Sequence, residues 1–432
     1  MFKRLNIKLK ISLILAFLFL CIFHPTLSFS KENLPPLSPF LREIAIKAQK
    51  DINSGRLKDA EKSLLPFVKG QNAHPVFCFL IANTYYLEKK LPLALTFYKK
   101  TIKLAPGYLP AIENAAAVSF ELKRYIRAAN YYLNAWQISK KQKNPDKKLL
   151  YNCAIAYYQA HKYRKAISIL KKLFNISNNP SKASISLYVV CSINLKDYKS
   201  CLKKLTQFIN KYPYKAYLWL YAGQILLLKK DYKNAAIYLE IAYTLDNASP
   251  KKWKELSNIY AYCNAPIKAA KCYLRAVPNK LSKSDLKTLI NYFLQIHNYK
   301  IAISYIKEAI KLSQDPSLYI LLGKLAFEHG QFNQAKNSLK KALILINKKD
   351  FKNKITTDKI NETWMLLGVS AFETQDFNLA QKAFLHLVHI KRYKQQAKGY
   401  LAFISLLKDK TQNNKRITIN GKKKDYNPTN RT

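Results

Sequence analysis

Few residues in this chain have the type and spacing to do chemistry, and those few are cations and amides. Read as a helix, "WKELSNIYAY" puts Trp253, Leu256, Ser257 and Tyr260 on one face and sets Lys254 and Asn258, four apart, on another. The pair recurs as Lys287 and Asn291 in "KTLIN", and Lys324 follows. An ammonium beside carboxamide donors suits a carboxylate. A solvated lysine face in a lysine-rich chain leaves the same pattern, and both readings stand at this point. Catalytic chemistry finds little support. His386 and His389 have metal-pair spacing but no carboxylate or cysteine set beside them. No CxxC pair and no glycine-rich phosphate loop occurs, and nothing singles out a nucleophile. The expectation is a protein that is no enzyme and uses no cofactor and no metal.

The elements that must position these residues are legible by self-comparison. The chain has 432 residues, 49% of them apolar, with only 9 glycines, which favours helices over sheets and turns. An aromatic followed three residues later by a small residue recurs after a short polar turn. It is seen in "HKYRKAISIL", "KDYKNAAIYL", "HNYKIAISYI", "GQFNQAKNSL" and "QDFNLAQKAF", while "KDYKSCLKKL" puts Cys201 in the small place. Sixteen residues before the small residue stand Trp219, Trp253 and Trp364; twelve before stand Ala154, Gly223, Gly323 and Gly368. Four after it stands a large apolar residue, among them Leu170, Leu239, Leu339 and Phe384. Units start near 41, 75, 109, 147, 182, 216, 250, 283, 316 and 361, most of them 33 to 35 residues apart.

"WLYAGQILLLKKDYKNAAIYLEIAYTLD" and "WMLLGVSAFETQDFNLAQKAFLHLV" resemble the tetratricopeptide repeat (TPR), whose Trp, Leu, Gly, Tyr, Ala, Phe, Ala, Pro pattern spans 34 residues. The resemblance covers residues 41–394. It implies an all-α α-solenoid, a right-handed superhelix of about ten helical hairpins. A helix at 395–408 is expected to cap the last hairpin, and 409–432 reads as a basic disordered tail. In such arrays the first helix of each unit lines a concave groove. That places Lys254, Asn258, Lys287, Asn291 and Lys324 in one basic stretch of groove. The stretch looks like part of the carboxylate clamp of chaperone-binding TPR proteins, although Thr288, Ser317 and Leu321 stand where the clamp has further polar residues. Earlier units would present Phe79, Asn83, Tyr86, Phe120, Tyr151, Asn152, Tyr158, Tyr217, Tyr221 and Gln224. Aromatics with amides suit an apolar peptide or sugar rings, and equally suit contacts between neighbouring units.

The first 30 residues are a different material. "MFKRLNIKLK" is basic, "ISLILAFLFLCIF" is apolar, and "HPTLSFS" carries small residues, the layout of a secretory signal. A cleaved signal, an uncleaved anchor and a lipid-anchored Cys21 remain alternatives, and each puts the rest outside the cytoplasm, in a periplasm. Residues 31–40, "KENLPPLSPF", read as a proline-stiffened linker. The formal charge of +49 reflects 74 Lys and Arg against 25 acids. It favours anionic partners, whether acidic protein, anionic polysaccharide or a membrane surface, and is also what an AT-rich genome would encode. Export and the scarcity of arginine disfavour nucleic acid. Of the cysteines, Cys191 and Cys201 are the pair best placed for a disulfide. The expected function is a protein-binding scaffold in envelope-complex assembly; the alternative is a carbohydrate-binding or polysaccharide-export guiding module.

Overall fold

In the computed structural model, residues 34–70, 73–143, 145–277, 280–347 and 355–408 are described. The signal-like segment, the first three residues of the linker and the basic tail lie outside them. The described residues contain helices and no strand. They divide into two compact units, within residues 1–246 and 247–432.

The first unit holds six hairpins. These are α1 (Pro39–Asn53) with α2 (Leu57–Leu64), α3 (Pro75–Leu87) with α4 (Leu91–Leu104), and α5 (Leu109–Glu121) with α6 (Tyr125–Lys141). They continue as α7 (Lys147–Gln159) with α8 (Tyr163–Ile176), α9 (Lys182–Asn194) with α10 (Tyr198–Lys211), and α11 (Ala216–Leu228) with α12 (Tyr232–Leu245). The second unit holds α13 (Pro250–Tyr262) with α14 (Pro266–Ala276), α15 (Lys283–Gln295) with α16 (Tyr299–Leu312), α17 (Pro316–Glu328) with α18 (Phe332–Ile346), and α19 (Thr357–Glu373) with α20 (Phe377–Leu387). A last helix, α21, spans 394–408. Both units are of the all-α solenoid class.

One local device makes each hairpin. After every first helix a single residue turns into the left-handed region, with φ from +54° to +76°: Gly55, Lys89, Lys123, His161, Lys196, Lys230, Asn264, His297, Gly330 and Gln375. The next N–H reaches back to the carbonyl five residues earlier, as Lys90 does to Tyr85 at 2.8 Å and Asp231 to Leu226 at 2.9 Å. This paired closure satisfies the last carbonyls of the helix and reverses the chain in two residues. The second helix then starts on a side-chain cap in several hairpins. Asp197, Asp231, Asn298 and Asp376 accept from the N–H three residues on, at 3.2–3.3 Å.

Helices within a hairpin touch closely where a glycine faces a large side chain. A Cβ on Gly323 would lie 2.6 Å from Leu339 Cγ, one on Gly223 2.8 Å from Leu239 Cγ, and one on Gly368 2.8 Å from Phe384 Cε1. No hairpin buries its apolar face alone, so neighbours share cores. One core of the first unit spans α1 to α5 and another runs from α5 to α11. In the second unit, Ile404 and Ala397 of α21 and Tyr393 just before it close over Phe384 and Leu387 of α20.

Candidate functional site

The lysine row of the second unit lies on exposed first-helix positions. Lys254 and Asn258 on α13, Lys287 and Asn291 on α15, and Lys324 on α17 are all exposed. The chain itself supplies acids to two of the three lysines. Lys254 Nζ lies 3.3 Å from Asp285 Oδ1, and Lys324 Nζ lies 3.2 Å from Glu362 Oε1. Lys287 alone of the three has no acidic partner among the described residues. The reason is register. Asp285 is the third residue of α15, one hairpin on from Lys254, and the third residue of α17, one hairpin on from Lys287, is Leu318.

Asp285 is a built-in anchor. It completes a capping box with Ser282 at the start of α15 and accepts from Tyr273 Oη at 2.7 Å. Lys254 Nζ also sits 5.1 Å from the centroid of the Tyr273 ring. Burial opposes ionisation of Asp285, but hydrogen bonds from Ser282, Tyr273 and Lys254 outweigh it and hold the carboxyl well below the usual range. The expected stretch of three available lysines is thus corrected to one cation, Lys287, between two internally neutralised ones. Asn258 and Asn291 are exposed on α13 and α15.

In the first unit the aromatic series separates into core and surface. Phe79 is fully buried, edge-on to Tyr108 at 5.2 Å and tilted against Tyr98 at 5.9 Å. Asn83 is fully buried and accepts from Tyr98 Oη at 2.6 Å and Asn114 Nδ2 at 3.2 Å. Tyr221 is also buried. These three belong to the packing, which corrects their assignment to a ligand face. α3 explains the first two: Pro75 through Tyr85 are all buried, because α1, α2, α4 and α5 enclose it. Tyr86, Phe120, Tyr151, Asn152, Tyr158, Tyr217 and Gln224 are half-buried. Tyr86 Oη donates to Glu121 Oε1 at 2.8 Å; burial, then that bond, push its phenol up. Phe120 stands edge-on to Tyr125, and Lys182 sits 5.6 Å from the centroid of the Tyr217 ring.

The sequence reading passed over one residue on this face. Glu113 is the fifth residue of α5, in register with Phe79 of α3 and Tyr151 of α7. It is half-buried and makes no ion pair or hydrogen bond among the described residues. Burial pushes its carboxyl up to about 7, and the nearby Asp146 carboxylate adds to the rise. The available signal was scarcity: α3 and α5 contain no lysine or arginine to meet this acid.

Other candidates resolve into packing. His386 lies against Trp364 with ring centroids 4.9 Å apart, and no group of three or more metal-ligating side chains exists among the described residues. Cys191 and Cys201 form no disulfide. Both are buried thiols, and burial pushes each up to about 12.

Residues 316–349, which contain α17 and α18, match the family model described as a tetratricopeptide repeat. No curated protein matches the chain. Among solved structures, the chain is similar to the C-terminal part of a TPR repeat-containing protein from Cytophaga hutchinsonii. Identity is 15%, with 67% of this chain and 98% of that chain covered and a TM-score of 0.33. A tetratricopeptide repeat protein from Parabacteroides merdae matches at 17% identity, over 58% of this chain and 98% of that one, with a TM-score of 0.32. YrrB, a TPR protein with an unusual peptide-binding site, matches at 18% identity over 42% and 91%, with a TM-score of 0.32.

Proposed function

We propose that this chain, an array of tetratricopeptide-repeat hairpins, is a non-enzymatic scaffold that holds a segment of a partner protein against the exposed faces of its first helices. The proposed setting is outside the cytoplasmic membrane, in the assembly of an envelope complex. The secretory layout of the first 30 residues supports that location. The observation that carries the binding reading is Lys287. It is exposed on α15 with Asn291 four residues on along the same helix, and it lacks the internal acid that Lys254 and Lys324 possess. An ammonium with a carboxamide donor one turn along its helix takes an acidic side chain or a terminal carboxylate.

A photo-crosslinking residue at Asn291 tests the reading in intact cells, with one at Lys307, exposed on the second helix α16, as the control. A discrete adduct from position 291 that is absent from 307, and that fades when Lys287→Glu is added, is the expected result. Equal labelling from both positions, or an adduct indifferent to Lys287→Glu, overturns it. Mass analysis of the mature amino terminus, with protease access in spheroplasts, tests the location.

A further inference from the structure

Glu43, Asp59 and Glu113 on the first unit's helices meet no ammonium or hydrogen-bond donor among the described residues, and of these three only Glu113 is half-buried. The chain carries 74 Lys and Arg against 25 acids, so a surface carboxylate ordinarily finds an ammonium close by. Glu113 finds none among the described residues, although it is half-buried, where an unpaired charge is costly. The other acid of α5 makes the contrast: Glu121 is more exposed and still accepts from Tyr86 Oη. The charged and titratable groups around Glu113 do not compensate. Asp146, the N-cap of α7, is itself acidic, and Tyr132 on α6 is buried, with Glu113 adding to the rise in its pKa after burial itself. No helix-packing role requires a carboxylate at this register, because the equivalent places hold Phe79 and Tyr151.

We infer that Glu113 receives a single lysine or arginine side chain of the partner segment. This inference rests on the reading that first-helix faces contact the partner. The surroundings suit the group. Two turns along α5 stands Phe120, and α7 presents Tyr151 and Tyr158 at the fifth and twelfth places, all half-buried. Rings of this kind cover the aliphatic stem of a basic side chain and attract its cationic head, while the carboxylate supplies the charge-assisted hydrogen bond. The chain's overall charge sets a further condition. A strongly basic segment docked on this chain is repelled by the lysines that lie within the screening length, about 8 Å at physiological ionic strength. The matching segment is therefore neutral or acidic overall and carries one isolated basic residue.

The test uses the full chain and a phage-displayed library of random dodecapeptides as the probe. Peptides retained by the wild type are expected to share one Lys or Arg at a fixed place. Glu113→Gln should weaken a synthetic consensus peptide about tenfold or more, and Glu113→Asp should weaken it less. Replacing the peptide's lysine by norleucine should bring wild type and Glu113→Gln within about twofold, since the lost partner is then common to both. The thermal midpoint of Glu113→Gln should not fall, which separates a binding role from a structural one. Retained peptides without a shared basic residue, or a consensus indifferent to Glu113→Gln, overturn the cation site and leave the partner-binding reading standing. If no peptide is retained, or if those retained are indifferent to both Glu113→Gln and Lys287→Glu, both readings fall.

Discussion

Replacing Glu113 with glutamine should make the first unit more stable at neutral pH, an unusual sign for a substitution at a partly buried site. The folded carboxyl is raised from an ordinary 4.5 to about 7, through burial first and Asp146 second. At about 1.4 kcal/mol per pH unit, that displacement is worth about 3 kcal/mol. The sign follows from linkage. Folded Glu113 keeps its proton to about pH 7, whereas the unfolded chain releases it near 4.5. The stability this group contributes is therefore fully present below 4.5 and is lost as pH rises through 7. Glutamine has no proton to lose, but its amide still carries a desolvation cost of about 1 kcal/mol. The protonated carboxyl carries a similar cost, so the two proteins should match near pH 4 and the net gain expected at pH 8 is about 3 kcal/mol. Native-state hydrogen exchange on peptides covering α5 to α7 reads this locally, with both proteins measured at each pH so that intrinsic exchange cancels. Exchange on the order of 100-fold slower in the variant at pH 8, with parity at pH 4, is the expected outcome. Equal or faster exchange at pH 8, or one protection ratio at both pH values, refutes the assignment of an uncompensated charge.

Four further outcomes follow from the geometry. Asp285→Ala removes the capping box of α15 and the partner of Lys254 and Tyr273, and should cost about 2 kcal/mol at pH 7 by urea denaturation. Because the Asp285 carboxyl is held below the usual range, that difference should persist at pH 5 and be lost only as pH falls through its folded pKa. Gly323→Ala should destabilise by about 1 kcal/mol or more despite alanine's helix propensity, since the new Cβ falls 2.6 Å from Leu339 Cγ, whereas Gly107→Ala, with open space around it, should be near neutral by thermal melt. Lys230→Gly should stabilise by up to about 1 kcal/mol, because Lys230 sits at φ +62° in the turn between α11 and α12. Iodoacetamide at pH 8 should label half-buried Cys263 first by peptide mass analysis, while Cys78, Cys153, Cys191 and Cys201, buried and pushed up to about 11 or 12, react only on unfolding.

The hairpin architecture was legible because its constraints are local and repeated. Glycines are few, so those at 223, 323 and 368, each sixteen residues before a Leu or Phe, mark close helix contacts almost by themselves. The turns were less direct. Eight of the ten left-handed positions hold Lys, His, Asn or Gln rather than glycine, so unit length located them where residue type could not. The ligand faces were legible only in part, because exposure depends on neighbours. Phe79 and Asn83 occupy places that face solvent elsewhere, yet α3, "PVFCFLIANTYYL", is apolar on nearly every side, the pattern of an enclosed helix. The lysine row hid its partners for a different reason. Asp285 and Glu362 lie 31 and 38 residues from the lysines they meet, at different places in their hairpins, so no single repeat offset reveals both.

In a chain with three bases to each acid, the carboxylates carry most of the information about its surface. Asp285 and Glu362 each remove a lysine from the face of the second unit and so single out Lys287. Glu121 takes the phenol of Tyr86, which leaves Glu113 as the half-buried acid of α5 without a partner among the described residues. The two proposed contacts, an anion at Lys287 and a cation at Glu113, each arise from residues of a single unit. If one partner segment meets both, Lys287→Glu and Glu113→Gln should weaken it independently, and their combined loss should equal the product of the two factors. A combined loss no larger than either single loss would refute two independent contacts to one segment.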